Sequence, residues 1–135
     1  MKRINRGYSL LEVTVVIAMI ALLATMAVPS YQRVARKTHR VSAMALLMEL
    51  HLRQEKYRAD NSAYATTLTQ IGAPTSGGVA DDYSLSIPTS TATSNLLRAD
   101  ARSPGSQATD SQDEVSCARL EIDQSGARTP AACWR

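Results

Sequence analysis

The chain has 135 residues, enough for one ordinary domain at most, and its 15 Lys/Arg against 12 Asp/Glu leave a net charge of +3. Three of the basic residues lie within residues 1–7 and the remainder is neutral, so the charge balance gives no support for nucleic-acid binding. Because there is no Phe and one Trp, the core must come from aliphatic residues, Met and Tyr.

The first 28 residues join a short basic segment to a long apolar one. Residues 1–7 hold three cations, and residues 8–28 hold a single charge, that of Glu12. As a helix, residues 8–28 would span about 32 Å, the thickness of a bilayer's hydrocarbon core. We therefore predict a transmembrane helix here, with Pro29 kinking or ending it.

The spacing of apolar side chains over residues 29–58 predicts an amphipathic helix. Five apolar side chains recur at helical spacing and form one stripe, which we expect to face a core: Val34, Val41, Ala45, Met48 and Leu52. The sequence Asp60-Asn61-Ser62 is predicted to end the helix.

Residues 59–135 predict a small globular β domain. A loop with several Gly and Pro residues occupies 59–80, and short alternating segments follow at 83–87, 95–101 and 117–123. We expect an antiparallel sheet with one face on the helix. The predicted fold class is α+β, a long N-terminal hydrophobic and amphipathic helix packed against a small antiparallel sheet.

Two cysteines, Cys117 and Cys133, lie near the C-terminus. Behind a membrane segment they favour one disulfide, formed in an oxidising compartment such as the bacterial periplasm, over two free thiols. For the adjacent Trp134, we favour packing against the disulfide or the sheet edge over an exposed contact with another subunit.

The N-terminus has to be weighed against a secretory signal peptide. Its apolar stretch is long for such a signal, and the best small-residue cleavage site, Thr25-Met26-Ala27, is a poor one. A plain membrane anchor explains the length, but it explains neither the charge of Glu12 nor the boundary at Gly7.

The segment Arg6-Gly7-Tyr8-Ser9-Leu10-Leu11-Glu12, followed by the apolar run and Pro29-Ser30-Tyr31, resembles the class III signal of type IV prepilins. The resemblance implies that residues 1–7 are a leader, which prepilin peptidase removes between Gly7 and Tyr8 before Tyr8 is N-methylated. The usual first mature residue is Phe, from which Tyr8 departs conservatively. The C-terminal segment from Cys117 to Cys133-Trp134 resembles the end of type IVa and minor pilins, where two cysteines clasp a loop to the sheet.

Glu12 is then expected to act in assembly. A carboxylate within an apolar helix costs on the order of a few kcal/mol and needs a partner. Cleavage would give Tyr8 of a neighbouring subunit a positively charged amine. At about 4 Å and an effective dielectric constant near 20, the attraction is about 4 kcal/mol before desolvation. We hypothesise that Glu12 sets the register of each incoming subunit.

These features indicate a structural subunit of a type IV pilus, and we favour a minor one. The alternatives are a pseudopilin of a type II secretion system or a DNA-uptake receptor pilin. The expected partners are other pilin subunits in a homo- or hetero-filament, the inner membrane before assembly, prepilin peptidase and the pilus assembly machinery. The expected location is a single-pass inner-membrane protein with a periplasmic C-terminal domain, then the extracellular pilus.

Other functions find less support. The net charge of −3 over residues 61–135 makes DNA an unfavoured partner. We find no phosphate-binding glycine loop, serine nucleophile elbow or zinc-peptidase helix, and we expect no enzyme, cofactor or small-molecule substrate. Asp110, Asp113 and Glu114 lack the spacing of an EF-hand, which favours a solvated acidic loop over a calcium site. His39 and His51 are expected to be solvated. The basic residues from Arg33 to Arg40 have two candidate partners, lipid headgroups or acids of adjacent subunits.

Overall fold

The structure is a computed structural model, and it describes residues 8–135, so the predicted leader and Gly7 lie outside the described residues. Helix α1 covers Leu10–Asp60 and the short helix α2 covers Val79–Asp82. The strands are β1 (Tyr83–Ser90), β2 (Asn95–Ala101), β3 (Ser111–Gln112), β4 (Val115–Ser116), β5 (Arg119–Asp123) and β6 (Arg128–Thr129). The described chain divides into two units, one that ends at Val34 and one that covers Ala35–Arg135.

The first unit is the apolar part of α1. Every residue from 8 to 34 is exposed, and α1 continues through Pro29 instead of ending there. The kink predicted at Pro29 stays a prediction. Two hydroxyls in this stretch are satisfied within the helix, since Thr14 Oγ1 donates to the Leu11 carbonyl and Thr25 Oγ1 to the Leu22 carbonyl. Internal pairing of this kind is what an apolar environment demands of polar groups.

The second unit contains an antiparallel sheet of four strands in the order β1-β2-β5-β6. Tyr83 pairs with Ala101 at one end of β1–β2 and Ser90 with Asn95 at the other. A bulge between Ser86 and Thr89 accommodates Pro88, which is tolerated because β1 is an edge strand. The predicted segments at 83–87, 95–101 and 117–123 correspond to β1, β2 and β5.

The core lies between the C-terminal part of α1 and this sheet, which confirms the predicted α+β fold. The helix contributes Ala43, Met44, Leu47 and Leu50, and the sheet contributes Tyr83, Leu97, Ala99, Leu120 and Ile122. The loop that joins helix and sheet also contributes to this core, with Ala65, Ile71 and Ala73. Both cysteines belong to the same buried cluster.

The predicted core stripe of the helix was wrong. Val34, Val41, Ala45, Met48 and Leu52 are all exposed, Val34 and Leu52 to 64% and 69%. The buried face instead runs from Arg40 through Leu47 to Gln54. The residues at the two ends of this buried face, Arg40 and Gln54, are polar, so a search for apolar periodicity does not detect the face. Both side chains form hydrogen bonds with buried partners in the folded chain.

Gln54 shows how one polar end of this face is satisfied. Its side chain is fully buried, donates to the Ala65 carbonyl at 3.0 Å and accepts from the Ala65 backbone N–H at 2.9 Å. Helix α1 ends close by, where the Asn61 side chain donates to the Tyr57 carbonyl. The predicted stop at Asp60-Asn61-Ser62 is therefore confirmed, and Gln54 anchors the loop that follows it.

Candidate assembly surface

Tyr8 and Glu12 lie at the start of the apolar helix. Tyr8 and Ser9 precede α1, the Val13 N–H donates to the Ser9 carbonyl, and Glu12 falls in the first turn of the helix. A carboxylate there faces the positive end of the helix dipole. Tyr8, Glu12, Val13, Val16 and Ile17 border one shallow depression of about 280 Å³. The predicted assembly residue thus shares a surface with the predicted first residue of the mature chain.

The apolar surface around Glu12 has no cover within the described chain. Tyr8 is 83% exposed, Leu10 is 82% exposed, and none of the 18 most apolar consecutive residues of α1 is buried. A continuous exposed surface of this kind belongs in a membrane or against other subunits. Small side chains at Ala18, Ala21, Ala24, Thr25 and Ala27 permit close approach of another helix.

In the second unit, a buried ion pair joins helix α1 to the C-terminal segment. Arg40 is 2% exposed, and its Nη1 donates to Asp110 Oδ2 at 2.9 Å while its Nη2 donates to Gln112 Oε1 at 2.9 Å. Gln107 adds a second connection, since its Nε2 donates to the Arg36 carbonyl. Burial, and then the charge of Asp110, raises the pKa of Tyr83 to about 12.

This pair corrects two sequence interpretations. Arg40 pairs with an acid of its own chain and not with a lipid headgroup or an acid of an adjacent subunit, and Asp110 is buried and not part of a solvated acidic loop. Asp113 and Glu114 form the tip of the β3–β4 hairpin, with φ angles of 50° and 66°. Within residues 8–135, no group of three or more His, Cys, Asp and Glu side chains is placed to hold a metal ion.

The two histidines differ in how far they meet the expectation that both are solvated. His39 is exposed, and its Nδ1 also lies within hydrogen-bond distance of Asp82 Oδ2. His51 is partly buried, and its Nδ1 is buried with no hydrogen-bond partner in the described chain. No local spacing rule predicts the His39 contact, because Asp82 lies 43 residues away.

The predicted disulfide is present between Cys117 and Cys133, which are 16 residues apart and fully buried. It encloses β5, the β5–β6 turn and β6. Trp134 packs against the core next to it, its Nε1 donates to the Thr129 carbonyl, and the Arg128 guanidinium lies 5.4 Å from the centre of its ring. The predicted packing of Trp134 is confirmed.

Removal of the Cys117–Cys133 disulfide is expected to destabilise the second unit. A closed loop of 16 residues contributes about 3 kcal/mol in the chain-entropy model. We therefore expect Cys117→Ser to lower the free energy of unfolding by about that amount, measured by urea titration of Trp134 fluorescence in the full chain. The double variant with Cys133→Ser controls for a free thiol, and an unchanged urea midpoint in both variants would contradict the expectation.

The fold and the N-terminal segment together define a pilin-like subunit: a long helix with an exposed apolar half, a small antiparallel sheet and a C-terminal clasp. Residues 29–121 match the family model described as "Type IV minor pilin ComP, DNA uptake sequence receptor", and residues 2–28 match the prokaryotic N-terminal methylation motif. The chain belongs to this type IV minor pilin family.

The curated relatives carry two kinds of name, type II secretion system core protein and type IV major pilin. Type II secretion system core protein G of Dickeya chrysanthemi is 36% identical over 73 residues, 54% of this chain and 48% of the relative. The Klebsiella pneumoniae protein of the same name is 32% identical over 84 residues, 62% and 60%. Type IV major pilin protein PilA of Myxococcus xanthus is 30% identical over 74 residues, 54% and 34%. The chain thus matches between about a third and three fifths of the length of these relatives.

Proposed function

We propose that this chain is a minor structural subunit of a type IV pilus, held in the inner membrane by residues 8–28 with its C-terminal domain in the periplasm until it joins the filament. Membership of the pilin family implies assembly with other pilin subunits. The exposed apolar half of α1, with a single carboxylate at Glu12, is the observation that carries the proposal. A structural role of this kind needs no catalytic group.

Processing by prepilin peptidase belongs to this proposal. Removal of residues 1–7 would leave Tyr8 with a free amine, which N-methylation keeps charged. That amine would neutralise Glu12 of an adjacent subunit once both lie in an apolar environment. The shared surface of Tyr8 and Glu12 supports this arrangement, because it places both groups at the same end of the apolar helix.

The experiment that tests the proposed function is the recovery of the chain from surface filaments. Filaments are sheared from cells that make pili and from cells that lack the pilus assembly machinery, and the chain is quantified in both fractions. We expect it in the first fraction as a small part of the total pilin and only in membranes in the second. Recovery from sheared material of both strains would contradict a pilus function.

The similarity to the proteins named core protein G makes a pseudopilin of a type II secretion system the alternative function. Two observations favour a type IV pilus subunit over it. The Cys117–Cys133 disulfide is present at the C-terminal end, where the sequence resembles type IVa and minor pilins. Asp110, one of the three acidic residues considered for a calcium site, pairs with Arg40 instead. A chain that supports secretion but never enters surface filaments would reverse this preference.

DNA binding is a second candidate, because the matched family carries the description of a DNA uptake sequence receptor. The outer face of the sheet gives it little electrostatic support, since Arg98 pairs with Glu121 and Arg119 with Asp100. We expect the detergent-solubilised full chain to bind DNA weakly, with strong salt dependence and no sequence preference. A preference for one sequence over its scrambled version at physiological salt would establish the second candidate.

A further inference from the structure

Tyr31 lies on helix α1 three residues after Val28, the last residue of the apolar segment. Both residues belong to the first unit, which ends at Val34. The Tyr31 side chain is 76% exposed, and no hydrogen bond or ring contact joins it to another residue within residues 8–135. We therefore expect this ring to find its contacts in the surroundings of the helix and not in its own chain.

The two aromatic residues of the first unit delimit its apolar segment. Tyr8 precedes Leu10, the first residue of α1, and Tyr31 follows Val28, whereas residues 9–30 contain no Tyr, Phe or Trp. The 21 residues from Leu10 to Tyr31 correspond to about 32 Å of helical rise, and the hydrocarbon core of a bilayer is about 30 Å thick. A helix that spans this core can therefore place one tyrosine at each of its boundaries.

The chemistry of a tyrosine side chain suits such a boundary. Its ring is apolar, but its hydroxyl group needs a hydrogen-bond partner. In the headgroup region the ring contacts the ends of the acyl chains while the hydroxyl bonds to headgroup oxygens or water. Deeper in the core the hydroxyl would lack a partner, and farther out the ring would be exposed to water. Tyr and Trp are enriched at both membrane interfaces for this reason.

We propose that Tyr31 lies in the headgroup region on the periplasmic side of the membrane and holds helix α1 at a fixed depth before assembly. The inference rests on the proposed membrane-anchored stage. Tyr31 would also fix the depth of Glu12, which lies 19 residues earlier, about 29 Å along the helix and hence just inside the opposite boundary. Contact with another subunit is the competing environment. Headgroups are favoured because the spacing of the two tyrosines matches the thickness of the bilayer.

Depth-dependent quenching of tryptophan fluorescence tests the position of Tyr31. The full chain is reconstituted in phosphatidylcholine vesicles whose acyl chains carry bromine either near the headgroup or near the chain end. Tyr31→Trp reports on the proposed boundary and Met19→Trp on the middle of the apolar segment. The signal of Trp134, measured in the wild-type chain, is subtracted from both. We expect Tyr31→Trp to lose more fluorescence to the shallow bromines than to the deep ones, and Met19→Trp the reverse.

A second comparison tests whether Tyr31 holds the helix at this depth. Met19→Trp is combined with Tyr31→Ala or, as a control, with Gln32→Ala, which shortens the adjacent exposed side chain without changing the charge. We expect Tyr31→Ala to reduce the difference between deep and shallow quenching, because the helix loses an interfacial contact and occupies a wider range of depths. Gln32→Ala should leave this difference unchanged.

The possible outcomes separate the inference from the proposed function. Stronger quenching of Tyr31→Trp by the deep bromines would overturn the inference. Quenching by neither set of bromines would also overturn it, since the ring would then lie in water or against another subunit. An unchanged difference in the Tyr31→Ala variant would contradict its role in fixing the depth of the helix. The proposed membrane anchorage would fail separately if neither set of bromines quenched Met19→Trp.

Discussion

Replacing Glu12 with alanine is expected to leave processing largely intact and to reduce incorporation into filaments by at least about tenfold. The attraction of the carboxylate for a positive Tyr8 amine is about 4 kcal/mol before desolvation. If a third of this attraction remains as net stabilisation of the assembled subunit, its loss already reduces the equilibrium for incorporation tenfold. The measurement compares the amount of chain in sheared filaments with the amount in membranes, by immunoblot, for the variant and the wild type.

The control for this experiment is Ser9→Ala, which alters a neighbouring exposed polar residue without changing the charge. It should assemble normally. Glu12→Gln separates charge from hydrogen bonding, and we expect it to resemble the alanine variant, because an amide cannot neutralise an amine. Normal incorporation of both Glu12 variants would remove the electrostatic basis of the assembly account.

Replacing Arg40 with methionine is expected to have the largest effect on stability, a loss of about 3–5 kcal/mol. The substitution leaves the Asp110 carboxylate buried without its cation, and an uncompensated buried charge is strongly destabilising. A loss of this size is a large part of the total stability of a small domain. Urea or thermal unfolding of the full chain, followed through Trp134 fluorescence, measures it.

Two further variants distinguish the ion pair from simple loss of packing. Arg40→Met combined with Asp110→Leu removes both charges, and we expect it to recover much of the lost stability. Arg33→Gln removes an exposed cation of the same helix and should change the free energy of unfolding by less than about 0.5 kcal/mol. A double variant as unstable as Arg40→Met alone would show that the cost does not come from the unpaired carboxylate.

Local sequence signals predicted much of this fold. The end of α1, the three longer strands and the Cys117–Cys133 disulfide all follow from alternation, turn residues and cysteine placement. These signals act over a few residues, and tertiary contacts do not override them here. Strands β3, β4 and β6 were missed because each has only two residues, too few to show a period.

The orientation of the helix could not be predicted in the same way. Its sequence contains two stripes, and the more apolar one, which includes Val41 and Leu52, is exposed. The buried one ends in Arg40 and Gln54, whose partners Asp110 and Ala65 come from distant segments. Periodicity does not reveal which polar side chains will find such partners. An exposed apolar stripe fits a chain whose remaining contacts come from other subunits.

The most direct test of the central claim is N-terminal sequencing, with intact mass measurement, of the chain recovered from sheared surface filaments. We predict a mature protein that begins at Tyr8, carries one methyl group on its amine and keeps the apolar helix. A filament protein that retains residues 1–7, or one that has been cut near Ala27 and lost that helix, would contradict the proposal that cleavage creates the positive charge that Glu12 neutralises.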